Sequence, residues 1–496
     1  MHYRRFLTLI FFLFFINREA FAQQAVISGT ITEKNSGENL SAVTITVTEL
    51  PGVGTVSNNY GFYSLSLPAG NYTVYFRHIG HESREEKITL MGDYKLNMEL
   101  PVLGVTLNEV VITTKKEDAN VKSANMGVTR LSPQLVETIP VLFGEKDIIK
   151  TLQLTPGVKS AGEGNSGFYV RGGGADQNLI LLDEATVYNA SHLLGFFSVF
   201  NSDVIRDITL YKAGMPAEYG GRASSVLDVK MRDGNNKKLS VQGGLGLISS
   251  RLTVEAPIVK EKGSFLISGR RSYADLFLKL SNNDATRNSG LYFYDVNLKG
   301  NYRLDEKNKV FLSGYFGRDN FKFSDVFGFD WGNSTGTARW NHLFSNKLFS
   351  NTSLIYSNYN YKFTLGAGNE AVGVKSSIQD VSLKQDFSDY INSRNTIKFG
   401  AQVTHHTFRP GEIVANDSSS FNNNVLNNKY ALEAGLYLQN EQKIQQNLVL
   451  QYGLRYSLFN YMGKGKAYFY DADGNKTGEK LYAAGESIKF YGGLEP

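Results

Sequence analysis

Hydrophobic and polar side chains alternate along the second half of the chain, from about residue 238 onward. In YFYDVNLKGNYRL, Tyr292, Tyr294, Val296, Leu298, Tyr302 and Leu304 fall on one face, and Asp295, Asn297, Lys299, Asn301 and Arg303 on the other. In YALEAGLYLQ, Tyr430, Leu432, Ala434, Leu436 and Leu438 oppose Glu433 and Gln439. LVLQYGLRYSL sets Leu448, Leu450, Tyr452 and Leu454 against Gln451 and Arg455, and TIKFGAQV repeats the pattern with Ile397, Phe399, Ala401 and Val403. A period of two predicts β-strands. Such a ribbon either buries its apolar face in a soluble sandwich or turns it to lipid and lines a lumen with the polar face. Several runs reach about ten residues, whereas soluble strands centre on roughly 5 to 6. Short turns such as 305–308 alternate with long polar connections at 409–428 and 463–488, which suits an outer-membrane barrel.

Residues 238–496 are therefore expected to form part of a transmembrane β-barrel, with about ten or eleven strand-like runs. Plugged lumens belong to barrels of roughly 22 strands, and the chain stops in FYGGLEP as another strand begins. The expectation is an N-terminal fragment or truncated gene product: the first part of a large antiparallel barrel, not transport-competent as given.

Shorter strand patterns fill residues 26–101. Val26–Ile31, SAVTITVTEL, FYSLSL and NYTVYFRHIGHE are rich in β-branched and aromatic residues and bounded by turn signals, which predicts a small β-sandwich. His78, His81 and Glu82 have the residue types of a zinc site. On a continuing strand, however, His78 and Glu82 share one face and His81 takes the other. They read as ordinary strand-end polar groups, and no metal is expected.

The first residues, MHYRRFLTLIFFLFFINREAFAQ, combine Arg4 and Arg5, an apolar run over 6–16 and small residues around Ala22. That is the layout of a cleaved secretory signal over 1–22, its apolar core shorter than the roughly 20 residues a spanning helix needs. With Cys 0 the fold owes nothing to disulfides. Lys+Arg 52 against Asp+Glu 47 is too balanced to imply nucleic acid. Gly 49, Tyr 28 and Phe 32 suit a mostly β chain with many turns.

Between sandwich and barrel the pattern changes twice. Residues 105–118 hold a short strand former, Glu109, Val110, Val111, Ile112 and Thr113, followed by Lys115, Lys116, Glu117 and Asp118. Such a segment suits pairing with another protein's sheet edge, or it is a last sandwich strand or a linker. Residues 120–235 contain FGEKDIIKTLQLTPGV at 143–158, a helix-compatible stretch stopped by Pro156-Gly157. GEGNSG at 162–167 matches a dinucleotide fingerprint literally, but that motif needs a strand before it and a helix after it. Here the order is reversed, so nucleotide binding is rejected. GFYVRGGG reads as a strand entering a tight turn, its glycines supplying positive φ or close backbone approach. NLILLDEATVYN adds a hairpin turning at Asp183-Glu184. The chain shows no nucleophile with a base, no paired acids and no metal cluster, so no enzymatic activity and no cofactor are expected.

The stretch GTITEKNSGENLSAVTITV through NYTVYFRHIGHE resembles the carboxypeptidase-regulatory-like, transthyretin-type domain, with His81 where that family usually has tyrosine. TLQLTPGV, FYVRGGGADQNLILLDEATVYN and the stretch ending in AGMPAEYGGRASSVLDVKMRDG resemble the plug of a Bacteroidetes-type TonB-dependent outer-membrane receptor. The matching positions are Pro156, Gly157, Arg171, Gly172, Gly173, Asp183, Tyr219, Gly220, Gly221 and Arg222. The family usually carries Gly where Glu184 stands and often where Ala213 stands. Asp-Gly suits a two-residue turn better than Asp-Glu, which puts the local turn geometry in doubt. The resemblance implies an α+β plug in the barrel, with Glu109–Thr113 a candidate TonB box. It implies an outer-membrane location with a periplasmic N-terminal domain, and active uptake of a small nutrient. The implied partners are TonB with its inner-membrane energising complex, outer-membrane lipid, a nutrient ligand and, as an option, a surface lipoprotein. The glycines after Arg171 are expected against the barrel wall and Arg171 itself on a barrel carboxylate. The alternative is a non-transporting adhesin or structural β-barrel protein.

Overall fold

The structure, a computed structural model, describes residues 24–103, 127–131, 145–162, 167–366, 371–415, 424–445 and 448–496. The expected signal peptide and the segment Glu109–Thr113 lie outside the described residues.

Alternating β-branched and aromatic residues build two four-stranded sheets in the N-terminal part. Ala25–Glu33 lies between Phe62–Leu67 on one side and Tyr94–Lys95 and Met98–Leu100 on the other. The second sheet runs Gly54–Val56, Thr44–Val47, Gly70–Arg77, Arg84–Leu90. Ile27, Ile31, Ile45, Leu65, Val74 and Phe76 share the core. The histidines differ from the strand expectation. Gly70–Arg77 ends before them, and the turn that follows, with Gly80 at φ 81°, brings His78 Nδ1 to 2.9 Å from His81 Nδ1. His81 Nε2 is 3.3 Å from Glu33, while Glu82 accepts a bond from Arg84 instead. Among the described residues no group of three metal-ligating side chains forms.

The middle of the chain forms a five-stranded mixed sheet ordered Ala185–Thr186, Asn178–Leu182, Ser225–Met231, Ile205–Tyr211, Val128–Leu131. The predicted helix is Ile148–Gln153, capped by Asp147, whose carboxylate accepts the Lys150 N–H at 2.9 Å. Its apolar side packs with Phe168, Phe200 and Val204, and the same core reaches Leu266 and Tyr315 of the surrounding wall.

That wall is a thirteen-stranded antiparallel sheet, twelve strands in line from Ser240–Leu245 to Ser487–Glu495, with Asn424–Val425 paired beside Asn395–Ala415. Strands reach 21 residues. Its polarity is the reverse of a soluble sheet. Asp295, Lys299 and Arg455 are 1%, 3% and 4% exposed, whereas Leu298, Leu312 and Leu436 are 47%, 65% and 62% exposed. A soluble sandwich would bury the leucines; a lipid-facing barrel exposes them and keeps the charges inside. No helix among the described residues is long and apolar enough to cross a membrane, which says nothing of strands.

The predicted short turn after Arg303 forms, with the Asp305 carboxylate accepting the Lys307 and Asn308 N–H groups at 2.7 and 2.8 Å. The long connections hold more strand than their composition suggests. Asn395–Ala415 runs well past residue 409, and 463–488 carries a hairpin of Gly465–Tyr470 and Lys476–Tyr482. Cross-strand bonds satisfy the backbone there, so polar side chains need not mean irregular structure.

Candidate functional site

Inward-facing polar residues of the wall meet the middle region, the plug of the sequence expectation, in three buried clusters. In the first, His192 of the plug lies with Nδ1 2.6 Å from Asp319 and Nε2 3.2 Å from Asp295, its ring stacked on Phe293 at 4.1 Å. Burial alone would lower the His192 pKa, but the two carboxylates more than offset it, and the ring is held protonated above its ordinary range. Arg270 completes the cluster, 2.6 Å from Asp295 and donating to the Ser198 carbonyl at 2.8 Å.

The second cluster surrounds Lys299, whose Nζ is 3.0 Å from Asp183 and 3.2 Å from Asp233 and donates to the Met231 carbonyl at 2.7 Å. Burial pushes the Asp183 carboxyl up, but Lys299, Arg339 and Lys230 pull it below its ordinary range. Asp183 and Glu184 sit at φ 46° and 76°, with Leu182 paired to Ala185 across them. This is the two-residue turn with positive φ at both central positions that a tight hairpin prefers. It forms without glycine because Glu184 has partners: Arg339 at 3.4 Å, Asn351 at 3.2 Å and the Tyr60 hydroxyl at 2.9 Å.

The third cluster joins the loop before Tyr219 to the wall. Ala217 donates its N–H to Gln439 at 2.8 Å, and Arg455 donates to the Ala217 carbonyl at 3.2 Å. A Cβ at Gly220 would collide with the Arg455 guanidinium, and one at Gly221 would reach 2.5 Å from Glu433. Tyr219 bonds Asp228 within the plug at 3.1 Å, and Arg222 folds back on the Gly221 carbonyl at 2.9 Å.

Of the residues singled out by sequence, Asp183, Gly220 and Gly221 therefore lie at the wall. The other group does not. Val170 and Gly173 close a turn over Arg171, at φ 50°, and Gly172, at φ 86°. Gly173 is crowded by Ser224 of the plug itself, and nothing lies within 4 Å of where a Gly172 Cβ would stand. Arg171 is exposed, its N–H donating to the Gly157 carbonyl at 3.0 Å. Among the described residues no barrel carboxylate pairs with it, which corrects the expectation. The reason is position: this turn packs on Gly157, while the Pro156 carbonyl accepts from Lys212 at 2.8 Å, so the two sequence blocks close on each other inside the plug.

His192, Arg270 and Arg339 were not foreseen as site residues. Asp295 and Lys299 were visible as the polar face of their strand, but nothing local named their plug partners. A cavity of about 1420 Å³ lies between plug, wall and sandwich; Glu184 of the second cluster and Arg455 of the third line it, with Arg206, Asp228, Lys384 and Glu433.

Residues 27–112 match the family model of the CarboxypepD_reg-like domain, and residues 121–226 match that of the TonB-dependent Receptor Plug Domain. The first match extends over Glu109–Ile112. No curated protein matches the chain. Similar solved structures include a mutant of the ferric enterobactin receptor PfeA from Pseudomonas aeruginosa, at 14% identity and TM-score 0.50 over 70% of this chain and 62% of that one. The ferric-catecholate import receptor Fiu from E. coli K12 is similar at 12% identity and TM-score 0.50, over 75% and 66%. The copper transporter OprC is similar at 12% identity and TM-score 0.53, over 75% and 59%. These likenesses are of fold, and this chain spans roughly three-fifths of the length of the structures it matches.

Proposed function

Because residues 121–226 match the TonB-dependent Receptor Plug Domain and the described residues among them sit inside a wall of membrane-type strands, we propose that the protein takes part in TonB-dependent uptake of a small nutrient across the outer membrane. The observation that carries this reading is the combination of leucines facing outward and the His192, Lys299 and Arg455 clusters holding the plug within. A plug held by hydrogen bonds and ion pairs blocks the lumen at rest, yet its contacts can be remade through water once force is applied. No bond of the cargo is broken, so no catalytic group is needed.

In this reading the N-terminal sandwich is periplasmic and Glu109–Thr113 is the TonB box, an extended strand for TonB to pair with. The proton-motive force of the inner membrane then remodels the plug through it. The ferric chelates and copper in the neighbours' names belong to those proteins; here the cargo is a small nutrient of unspecified class.

Deleting 108–114 tests the reading. Uptake, scored as growth on nutrients that a strain lacking the gene cannot use, is expected to fall to the deletion level while surface labelling of the protein persists. Unchanged growth with the segment removed would point to the adhesin or structural-barrel alternative.

A further inference from the structure

The sandwich lies at one end of the wall, where it touches the turns. Lys95 pairs with Glu306 at 3.0 Å, Asn346 donates to Asp93 at 2.9 Å, and Lys443 donates to the Gly54 carbonyl at 2.7 Å. Glu306 and Asn346 belong to tight turns, 304–307 and 344–347, between adjacent long strands. The opposite end carries the connections 273–289 and 463–486. Short turns mark the periplasmic end of such barrels, so the sandwich covers the periplasmic mouth.

It also reaches inward. Tyr60 and Phe62 wedge against the inward-facing Phe349 at ring distances of 5.4 and 5.8 Å, and Phe62 meets Tyr390. Around this small apolar wedge the contacts with the plug are polar: Ser41 to Asp207 at 2.9 Å, the Asp233 N–H to Glu38 at 2.8 Å, Arg206 to the Asn59 carbonyl at 3.1 Å and Tyr60 to Glu184 at 2.9 Å. Sandwich residues Ser41, Tyr60 and His78 line the 1420 Å³ cavity together with plug and wall residues. The sandwich thus lines the chamber from the end of the wall that carries the short turns. An interface of hydrogen bonds around one aromatic wedge has the character of domain contacts that separate and re-form.

We propose that the N-terminal sandwich is a releasable gate on the periplasmic exit, closed in this structure by the contacts of Glu38, Ser41 and Tyr60 with the plug. This rests on the uptake reading for what opens it. The chain leaves the sandwich through Met98–Leu100, paired in parallel with Ala25–Glu33, and through Val102, bridged to His81. A pull on the residues that follow reaches the sandwich through these contacts.

The absence of cysteine from the sequence gives a clean test. Thr209→Cys places one thiol on the plug face that lines the chamber. Its reaction rate with a small anionic maleimide is compared in three backgrounds: the native interface, a loosened one carrying S41A and Y60A, and one locked by a disulfide from D93C and N346C. With modification read at position 209 by peptide mapping, the loosened protein is expected to react at least tenfold faster than native, the locked one at least tenfold slower, and reductant should restore the native rate at that position. Equal rates in all three, with the disulfide confirmed on a non-reducing gel, would overturn the gate. In energised cells, deleting 108–114 should bring the native rate down to the locked one. If the order of the three backgrounds holds and the deletion has no effect, the gate stands and the TonB-driven reading falls.

Discussion

Glu184 occupies a backbone position, φ 76°, that favours glycine by about 1 kcal/mol. Its carboxylate repays that strain by meeting Arg339, whose guanidinium is buried and also lies over the Tyr60 ring at 5.4 Å. Removing one partner of a buried charge pair costs more than the strain it relieves, which is why a residue that spoils the turn by local rules persists in it. The glycines show the converse limit of sequence reading. Gly172 and Gly221 look alike in the chain, and both have positive φ, 86° and 76°. Space separates them: a Cβ is free at Gly172, while at Gly221 it stands 2.5 Å from the Oε1 end of Glu433, which would have to move from its place 3.4 Å from His406. Gly172→Ala is expected to cost about 1 kcal/mol through the backbone alone, and Gly221→Ala about 2–3 kcal/mol by adding the wall contact. Thermal unfolding midpoints of the two purified variants decide it; equal midpoints would mean the plug does not press on the wall at 221.

At the scale of elements, most strands and the capped helix were legible because period, caps and turn residues are local properties. The docking of one element on another was not, since Ser41 and Asp207, or His192 and Asp319, are brought together only by the finished fold. One such docking contact carries a pH dependence. Burial raises the Glu38 carboxyl from 4.5 to about 7; Arg232 and Arg206 oppose the shift and Asp233 adds to it. Asp233, also buried, is held low by Lys299, Lys309 and Arg206, so the shared proton sits on Glu38. A carboxyl that binds its proton more tightly docked than free favours docking when protonated. Docking of the sandwich should therefore be strongest below pH 4.5, weaken by up to about tenfold per pH unit on the way to 7, and change no further above it. Glu38→Gln should flatten that dependence. Proteolytic release of the sandwich, timed at pH 5 and pH 8, checks this; a native protein released equally fast at both would remove Glu38 as the cause.

For the whole molecule the inversion of polarity is the organising fact; the alternation behind it was the most legible feature of all, because a period of two is written into each strand. What alternation cannot say is which face meets water, lipid or protein; the plug supplies that answer by burying Asp295, Lys299 and Arg455 from within. The outward face then needs a solvent that tolerates leucine, and its depth dependence can be measured. Leu436 stands at the middle of Lys429–Gln445, paired to Ala401 and Tyr456 on its two sides, while Leu448 begins the next strand at the end of the wall that carries the short turns. A lysine at the bilayer midplane costs about 2–4 kcal/mol and near the interface about 0–1 kcal/mol. Leu436→Lys should therefore lower the unfolding midpoint in lipid and reduce the amount recovered in the outer-membrane fraction, and Leu448→Lys should leave both near the native values. In a water-facing sheet the two substitutions would be alike, each improving solubility. That result, with the protein recovered free of membrane, would put water rather than lipid against the leucines.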